Sequence, residues 1–306
     1  MVYFAKDDPI FDDVKPIYPS KEEVACVKIL FTDEFIDNFA YIRALIHSGE
    51  YSERAFDLST KCLLLNPGNY SVWKYRRDCL LKLNKDFKEE LNAISSTILK
   101  NPKNYQVWRH RQEIVNHLDD YSEESSFIQE ILNEDSKNYH AWQYRVWLLK
   151  QGKLLFVEEL EFINLMLADD IRNNSAWHYR QVVFGEFGNL ENNKEAREKE
   201  MQFVMDAIQA IDNNESSWNY FFWICNITKE NLEKGIQFAK KLEKESESSR
   251  IHANVFLMKG YVKLLNENNC EDLKNDVRLS CNRLKEVDNN HSRYWEKIIE
   301  KLENNS

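Results

Sequence analysis

The chain has 306 residues, 43% hydrophobic and 30% charged, with a net charge of −10. That length suffices for one elongated domain or two compact ones with a buried core. The acidic balance argues against a nucleic-acid binder, which needs a basic face, and disfavours an anionic membrane surface as the main partner, while leaving room for a local basic patch. With only seven glycines and five prolines, far below average usage, most of the chain must be helical.

The opening residues, MVYFAKDDPIFDDVKP, place acids where a secretory leader needs an apolar run. No apolar stretch of about 18 residues is present, and the closing KLENNS offers no lipidation site. Three of the five prolines lie in residues 1–19, so this segment is expected to be an extended, poorly ordered arm. The rest, 20–306, reads as one repeat domain. Thr32 to Ser48, closed by Gly49, reads as a helix ending in a glycine cap.

From there the chain repeats itself. NPGNYSVWKYR ends at Arg76, NPKNYQVWRHR at Arg111, DSKNYHAWQYR at Arg145 and DIRNNSAWHYR at Arg180. A weaker copy, IDNNESSWNYF, ends at Phe221, and VDNNHSRYW ends at Trp295. Trp73, Trp108, Trp142 and Trp177 are 35, 34 and 35 residues apart, and Trp218 follows after 41. A period near 34 is that of a helix–turn–helix unit of the tetratricopeptide size class. The units fall near 52–85, 86–120, 121–152, 153–190 and 191–230, with a degenerate part over 231–306 that has room for two units, the first lacking the signature. The expected fold class is all-α: tandem helical hairpins in a crescent-shaped α-α superhelix.

Within each unit an apolar-striped first helix leads to a tight turn, and Asn69, Asn104, Asn138 and Asn173 take the N-cap of the second helix. Trp and Arg at i and i+3 share a face. First helices are expected to start at Ser52, at Asp86 with Glu89 as a capping box, and at Ser122.

The repeats supply their own control. A residue present in every unit serves stacking, whereas one particular to a unit is a better functional candidate. By that test the tryptophans are core, each indole N–H needing one partner. The recurring arginines tie carbonyls or an acid of the neighbouring unit, and Tyr75, His110, Tyr144 and Tyr179 pack. The turns vary. Before the capping Asn stand Gly68, Lys103, Lys137 and Arg172; after it stand Tyr70, Tyr105, Tyr139 and Asn174; then come Ser71, Gln106, His140 and Ser175. Stacked units would align these turns along one wall. Helix N-termini there carry partial positive charge and free N–H groups, so Lys103, Tyr105, Tyr139 and His140 would make a cationic edge suited to phosphate. The residues alone favour the plainer alternative of solvated turns.

Six scattered cysteines, Cys26, Cys62, Cys79, Cys225, Cys270 and Cys281, form no C-x-x-C pair, which fits buried, reduced thiols in a cytoplasmic protein. No zincin, Walker, nucleophile-elbow or dinucleotide motif occurs, and no metal site is expected in this chain.

The strings NPKNYQVWRHR (101–111), NYHAWQYR (138–145), NNSAWHYR (173–180) and DVKPI (13–17) resemble the α subunit shared by protein farnesyltransferase and protein geranylgeranyltransferase type I. The resemblance runs from about Asp12 to the last Trp unit. It implies a heterodimer, inactive as the α chain alone, in which a zinc-binding β subunit holds the metal and most of the substrate. Mg2+ is a further candidate for the farnesyl reaction. It implies transfer of farnesyl or geranylgeranyl from the diphosphate to the Cys of CaaX-ending proteins such as Ras- and Rho-type GTPases. On this resemblance Lys103 and Tyr105 are the catalytic candidates; Lys103, Tyr105, Tyr139 and His140 bind substrate; and Tyr70, Asn104, Asn138 and Arg172 face the partner. Two readings compete: a Rab geranylgeranyltransferase α subunit, and a non-catalytic helical-repeat scaffold.

Overall fold

A computed structural model of the chain describes residues 2–20, 29–248, 250–268 and 270–304. Among them are fifteen α-helices and no strand. The helices gather into two compact units, residues 1–147 and 148–306, with the division inside α7 (Tyr139–Lys150). The first unit holds α1 (Asp33–Ser48), the hairpins α2–α3 (Glu53–Leu65, Tyr70–Lys82) and α4–α5 (Phe87–Lys100, Tyr105–Leu118), then α6 (Glu124–Glu134) and most of α7. The second holds α8–α9 (Phe156–Asp169, Asn174–Phe187), α10–α11 (Lys194–Ala210, Glu215–Cys225), α12–α13 (Lys229–Glu245, Arg250–Glu267) and α14–α15 (Glu271–Val287, Ser292–Asn304). The helices α12–α13 are the unit whose signature is lost. Among the described residues no helix is long and apolar enough to cross a membrane.

The caps explain where the helices start. Asn69, Asn104, Asn138, Asn173 and Asn214 each accept a backbone N–H two or three residues on. Ser52 and Asp86 cap first helices as expected, and Gly49 closes α1 in the left-handed region at φ 68°. Ser122 does not cap: α6 begins after Glu123 with no side-chain cap, and the Ser122 hydroxyl turns back to Asp120.

Each tryptophan ties its turn to its helix. The indoles of Trp73, Trp108, Trp142, Trp177 and Trp218 donate to the carbonyl six residues back, at 2.7–2.9 Å. All five are buried. One bond thus satisfies the only polar atom of the largest core side chain and closes the turn.

The arginines form the joints between hairpins. Arg76 grips Glu90 through two bonds of 2.7 Å, Arg111 grips Glu124 at 2.8 and 2.7 Å, and Arg180 grips Glu200 at 2.5 and 2.8 Å. Each glutamate then receives a donor from the following second helix: His110 at 2.8 Å, Tyr144 at 2.6 Å and Tyr220 at 2.6 Å. These charges are buried, and a forked guanidinium–carboxylate pair with further donors is the arrangement that offsets their desolvation.

The segment before α1 differs from the extended arm expected of it. Ala5–Asp7 and Pro9–Phe11 are 3-10 turns docked on α1. Ala5 N–H donates to Asn38 and Lys6 N–H to Asp37, while Asn38 donates back to the Tyr3 carbonyl. Phe11 is buried against Tyr41, and Arg54 holds Asp13. Two apolar side chains and a set of α1 acceptors order what proline content suggested was loose. Cys26 lies outside the described residues. Cys62, Cys79, Cys225 and Cys281 are buried free thiols, and burial pushes Cys79 and Cys281 up to about 11.

Candidate functional site

The candidate residues come from two successive turns of the first unit. In the turn before α5, Asn104 accepts from Gln106 N–H at 2.9 Å, which leaves Lys103 outside the helix and Tyr105 as its first residue. In the turn before α7, Asn138 accepts from Ala141 N–H at 3.0 Å, and Tyr139 and His140 open the helix. First-turn side chains cannot fold back over a preceding turn of their own helix, so they project. Tyr105 and Tyr139 are 66% and 59% exposed.

The repeat period sets one turn beside the other. The ring of His140 meets that of Tyr105 edge-on at 4.2 Å, and Tyr139 lies 6.4 Å from Tyr105. With Trp108 and Tyr144 behind them they border an open groove of about 260 Å³. Gln112 and Gln143 also line it. Sequence reading missed both, although they stand seven and four residues after the helix starts, on the same helical face as the tyrosines.

Lys103 is exposed at the edge, its Nζ 3.9 Å from the Asp135 carboxylate. That is the outer limit of an ion pair between solvated groups, a weak restraint. Partial burial pushes the His140 imidazole below its ordinary range, against a smaller opposing effect of the Lys103 backbone. At neutral pH the ring is therefore uncharged, with one nitrogen able to accept. The groove thus offers the exposed Lys103 ammonium at its edge, the Arg109 guanidinium paired with Glu113, two exposed phenols, a neutral imidazole and two helix N-termini.

The residues assigned to a partner face divide. Tyr70 begins α3 and is 73% exposed. Asn104 is half-buried and spent on capping. Asn138 is only 2% exposed, so its work is inside the chain rather than on a contact surface. Arg172 belongs to the second unit, where its guanidinium holds the next turn through Asn213 Oδ1 at 2.6 Å. Among the described residues no three His, Cys, Asp or Glu side chains are grouped to hold a metal ion.

Residues 52–83, 87–118, 121–152, 156–187 and 197–228 match the protein prenyltransferase alpha subunit repeat, together just over half of the chain. The chain belongs to the protein prenyltransferase alpha subunit repeat family. Its five family repeats coincide with the five hairpins bearing the tryptophan–carbonyl bond. The chain is 38% identical over 89 residues to the Solanum lycopersicum protein farnesyltransferase/geranylgeranyltransferase type-1 subunit alpha, and 42% identical over 84 residues to that of Arabidopsis thaliana. These stretches are 29% and 28% of this chain and span about a quarter (26%) of each relative's length. Among solved structures it is similar to a chain of Candida albicans protein geranylgeranyltransferase-I complexed with GGPP. The TM-score is 0.82 at 28% identity, over 96% of this chain and 100% of that one.

Proposed function

We propose that this chain is the α subunit of a heterodimeric CaaX protein prenyltransferase of the farnesyltransferase and geranylgeranyltransferase type I kind, acting in the cytoplasm. The observation that carries the reading is the likeness, over nearly the whole length of both chains, to a chain of an enzyme solved with a prenyl diphosphate. The groove at Tyr105, Tyr139 and His140, with Lys103 at its rim, supports it.

In this reading the partner β subunit holds a zinc ion, which lowers the pKa of the acceptor cysteine. The residues of this chain work on the leaving-group side. Negative charge accumulates on the diphosphate as the C–O bond to the isoprenoid breaks, and the Lys103 ammonium, held only loosely by Asp135, swings to meet it. Tyr105 donates a phenolic hydrogen bond to the same oxygens. Tyr139 wedges the peptide side, and uncharged His140 accepts a hydrogen bond there without competing for the anion. Farnesyl or geranylgeranyl diphosphate and a protein ending in CaaX are the substrates.

The test is co-expression with the zinc-bearing β chain of the same organism. The pair is expected to transfer a prenyl group to a CaaX peptide, and the α chain alone is expected to be inert. Lys103→Ala should lower the single-turnover rate by about 10- to 1,000-fold while the heterodimer still forms. An unchanged rate removes Lys103 from the mechanism, and a pair that transfers nothing ends the reading.

A further inference from the structure

The charged joints between hairpins differ in one respect. In the third, fourth and fifth second helices a buried glutamate receives a tyrosine hydroxyl, from Tyr144, Tyr179 and Tyr220. In the second it receives the imidazole of His110, which is fully buried. A tyrosine donates its one hydrogen and ends the chain of bonds there. An imidazole has a second nitrogen, and here Arg77 Nη1 lies 3.3 Å from His110 Nδ1. A guanidinium is always a donor, so Nδ1 accepts, Nε2–H donates to Glu90, and the ring is neutral. Burial, which pushes the His110 imidazole down, agrees with that assignment.

Arg77 itself breaks the repeat. It directly follows the joint arginine Arg76; after Arg111, Arg145, Arg180 and Phe221 the same place holds Gln112, Val146, Gln181 and Phe222. It is the one cation in that register. Gln112 in this place lines the groove between α5 and α7, so Arg77 belongs to the corresponding surface between α3 and α5. Two other cations of those helices are already paired within their own helix, Lys74 with Asp78 and Arg109 with Glu113. Arg77 is half-buried, and among the described residues no carboxylate lies within ion-pairing distance of it. Asp78 and Glu113 act on it only from farther away, and Arg109 repels it. Among the described residues its one hydrogen-bond partner is a neutral ring, which supports the guanidinium without cancelling its charge.

We infer that Arg77, braced from behind by His110, receives a carboxylate contributed by the partner subunit. The charge count favours a carboxylate: one uncompensated positive charge suits one negative charge, and the diphosphate is already assigned to the separate groove with Lys103 at its rim. Exposed Tyr70 and Tyr105, at the starts of the two flanking helices, give the aromatic and arginine composition of a protein contact. The inference rests on the heterodimer proposed above.

The test uses the co-expressed heterodimer, with subunit affinity measured at low and high salt and KM measured for the prenyl diphosphate. Arg77→Gln should weaken assembly by about 10- to 100-fold at low salt and flatten its salt dependence, with KM moving less than about twofold. Arg77→Lys, which keeps the charge, should recover part of the affinity. Circular dichroism of the isolated α chain must show the Gln variant folded, and the Lys variant carries the test if it is not. A wild-type pair that assembles and is indifferent to Arg77→Gln overturns the inference alone. A KM raised about tenfold with assembly unchanged overturns it too, because the anion is then the substrate's. If the wild-type pair does not assemble, the parent reading fails as well.

Discussion

Two kinds of joint hold successive hairpins together. In the second unit of the molecule, Arg180, Glu200 and Tyr220 make one of charge and hydrogen bonds. One hairpin further on, Phe221 replaces the arginine and packs on Phe238 and Phe256 at 5.3 and 4.9 Å. The tyrosine has become Phe256. Gly235 stands against its ring tip, where a β-carbon would come within 2.8 Å of Phe256 and 2.6 Å of the Cys225 sulfur. All three members of the charged joint have been exchanged together for an aromatic stack with a glycine floor. The charged set is expected not to tolerate partial replacement, because a buried charge left without its partner is strongly destabilising. The charged joint fixes one register through directional bonds, whereas the aromatic joint depends on fit.

The largest effect should come from breaking a charged joint on one side only. Glu124→Leu strands Arg111, 2% exposed, and removes the acceptor of Tyr144. It should cost about 3–5 kcal/mol in urea unfolding of the chain. The triple variant Arg111→Met, Glu124→Leu, Tyr144→Phe, which makes the joint apolar, should recover most of that loss. A triple variant no more stable than the single one would show that the two kinds are not interchangeable. In the apolar joint, Gly235→Ala forces a methyl group into Cys225 and Phe256, and should cost about 1–3 kcal/mol. Full stability in that variant would mean the glycine is not a packing requirement.

The smallest effect concerns pH and singles out the joint built on histidine. His110 is held below its ordinary 6.5, so its contribution is complete above that value and declines as pH falls through the lowered one. Burial opposes the ionised form of Glu90, yet the bonds from His110 and Arg76 outweigh it and bring the group from 4.5 down to about 2. Its contribution is present above 4.5 and is lost toward 2. His110→Tyr, which gives this joint the residue of its neighbours, should lessen the loss of thermal stability that begins below pH 6.5, the remainder belonging to His140 and His252, which burial also holds low, and leave the fall below 4.5. Identical pH profiles would place the acid sensitivity elsewhere in the chain.

Much of this could be read from the residues. The capping asparagines, the tryptophans and the arginines keep a constant spacing because they lie in one turn and the helix after it. The glutamates do not: Glu90 follows Arg76 by 14 residues, Glu124 follows Arg111 by 13 and Glu200 follows Arg180 by 20. A loop of variable length separates each from its arginine, and 51 acids hide three. The docking of residues 2–19 was missed because prolines outweighed the apolar signal of Ala5 and Phe11. For the site, the turn register was enough to bring Tyr105, Tyr139 and His140 together. It could not show that Asn138 is enclosed or that Arg172 is engaged by Asn213, since both depend on the depth of packing.

The indole bond has one more consequence. In the five full units its acceptor is a main-chain oxygen, supplied in turn by Pro67, Pro102, Ser136, Ile171 and Asp212, whereas Trp295 of the degenerate part donates to the Asp288 carboxylate. The anchor does not depend on which side chain that residue bears, so the neighbouring turn can accept substitutions that would be barred in a helix interior. A repeat built this way can change the chemistry it displays, one hairpin at a time, while its scaffold stays the same.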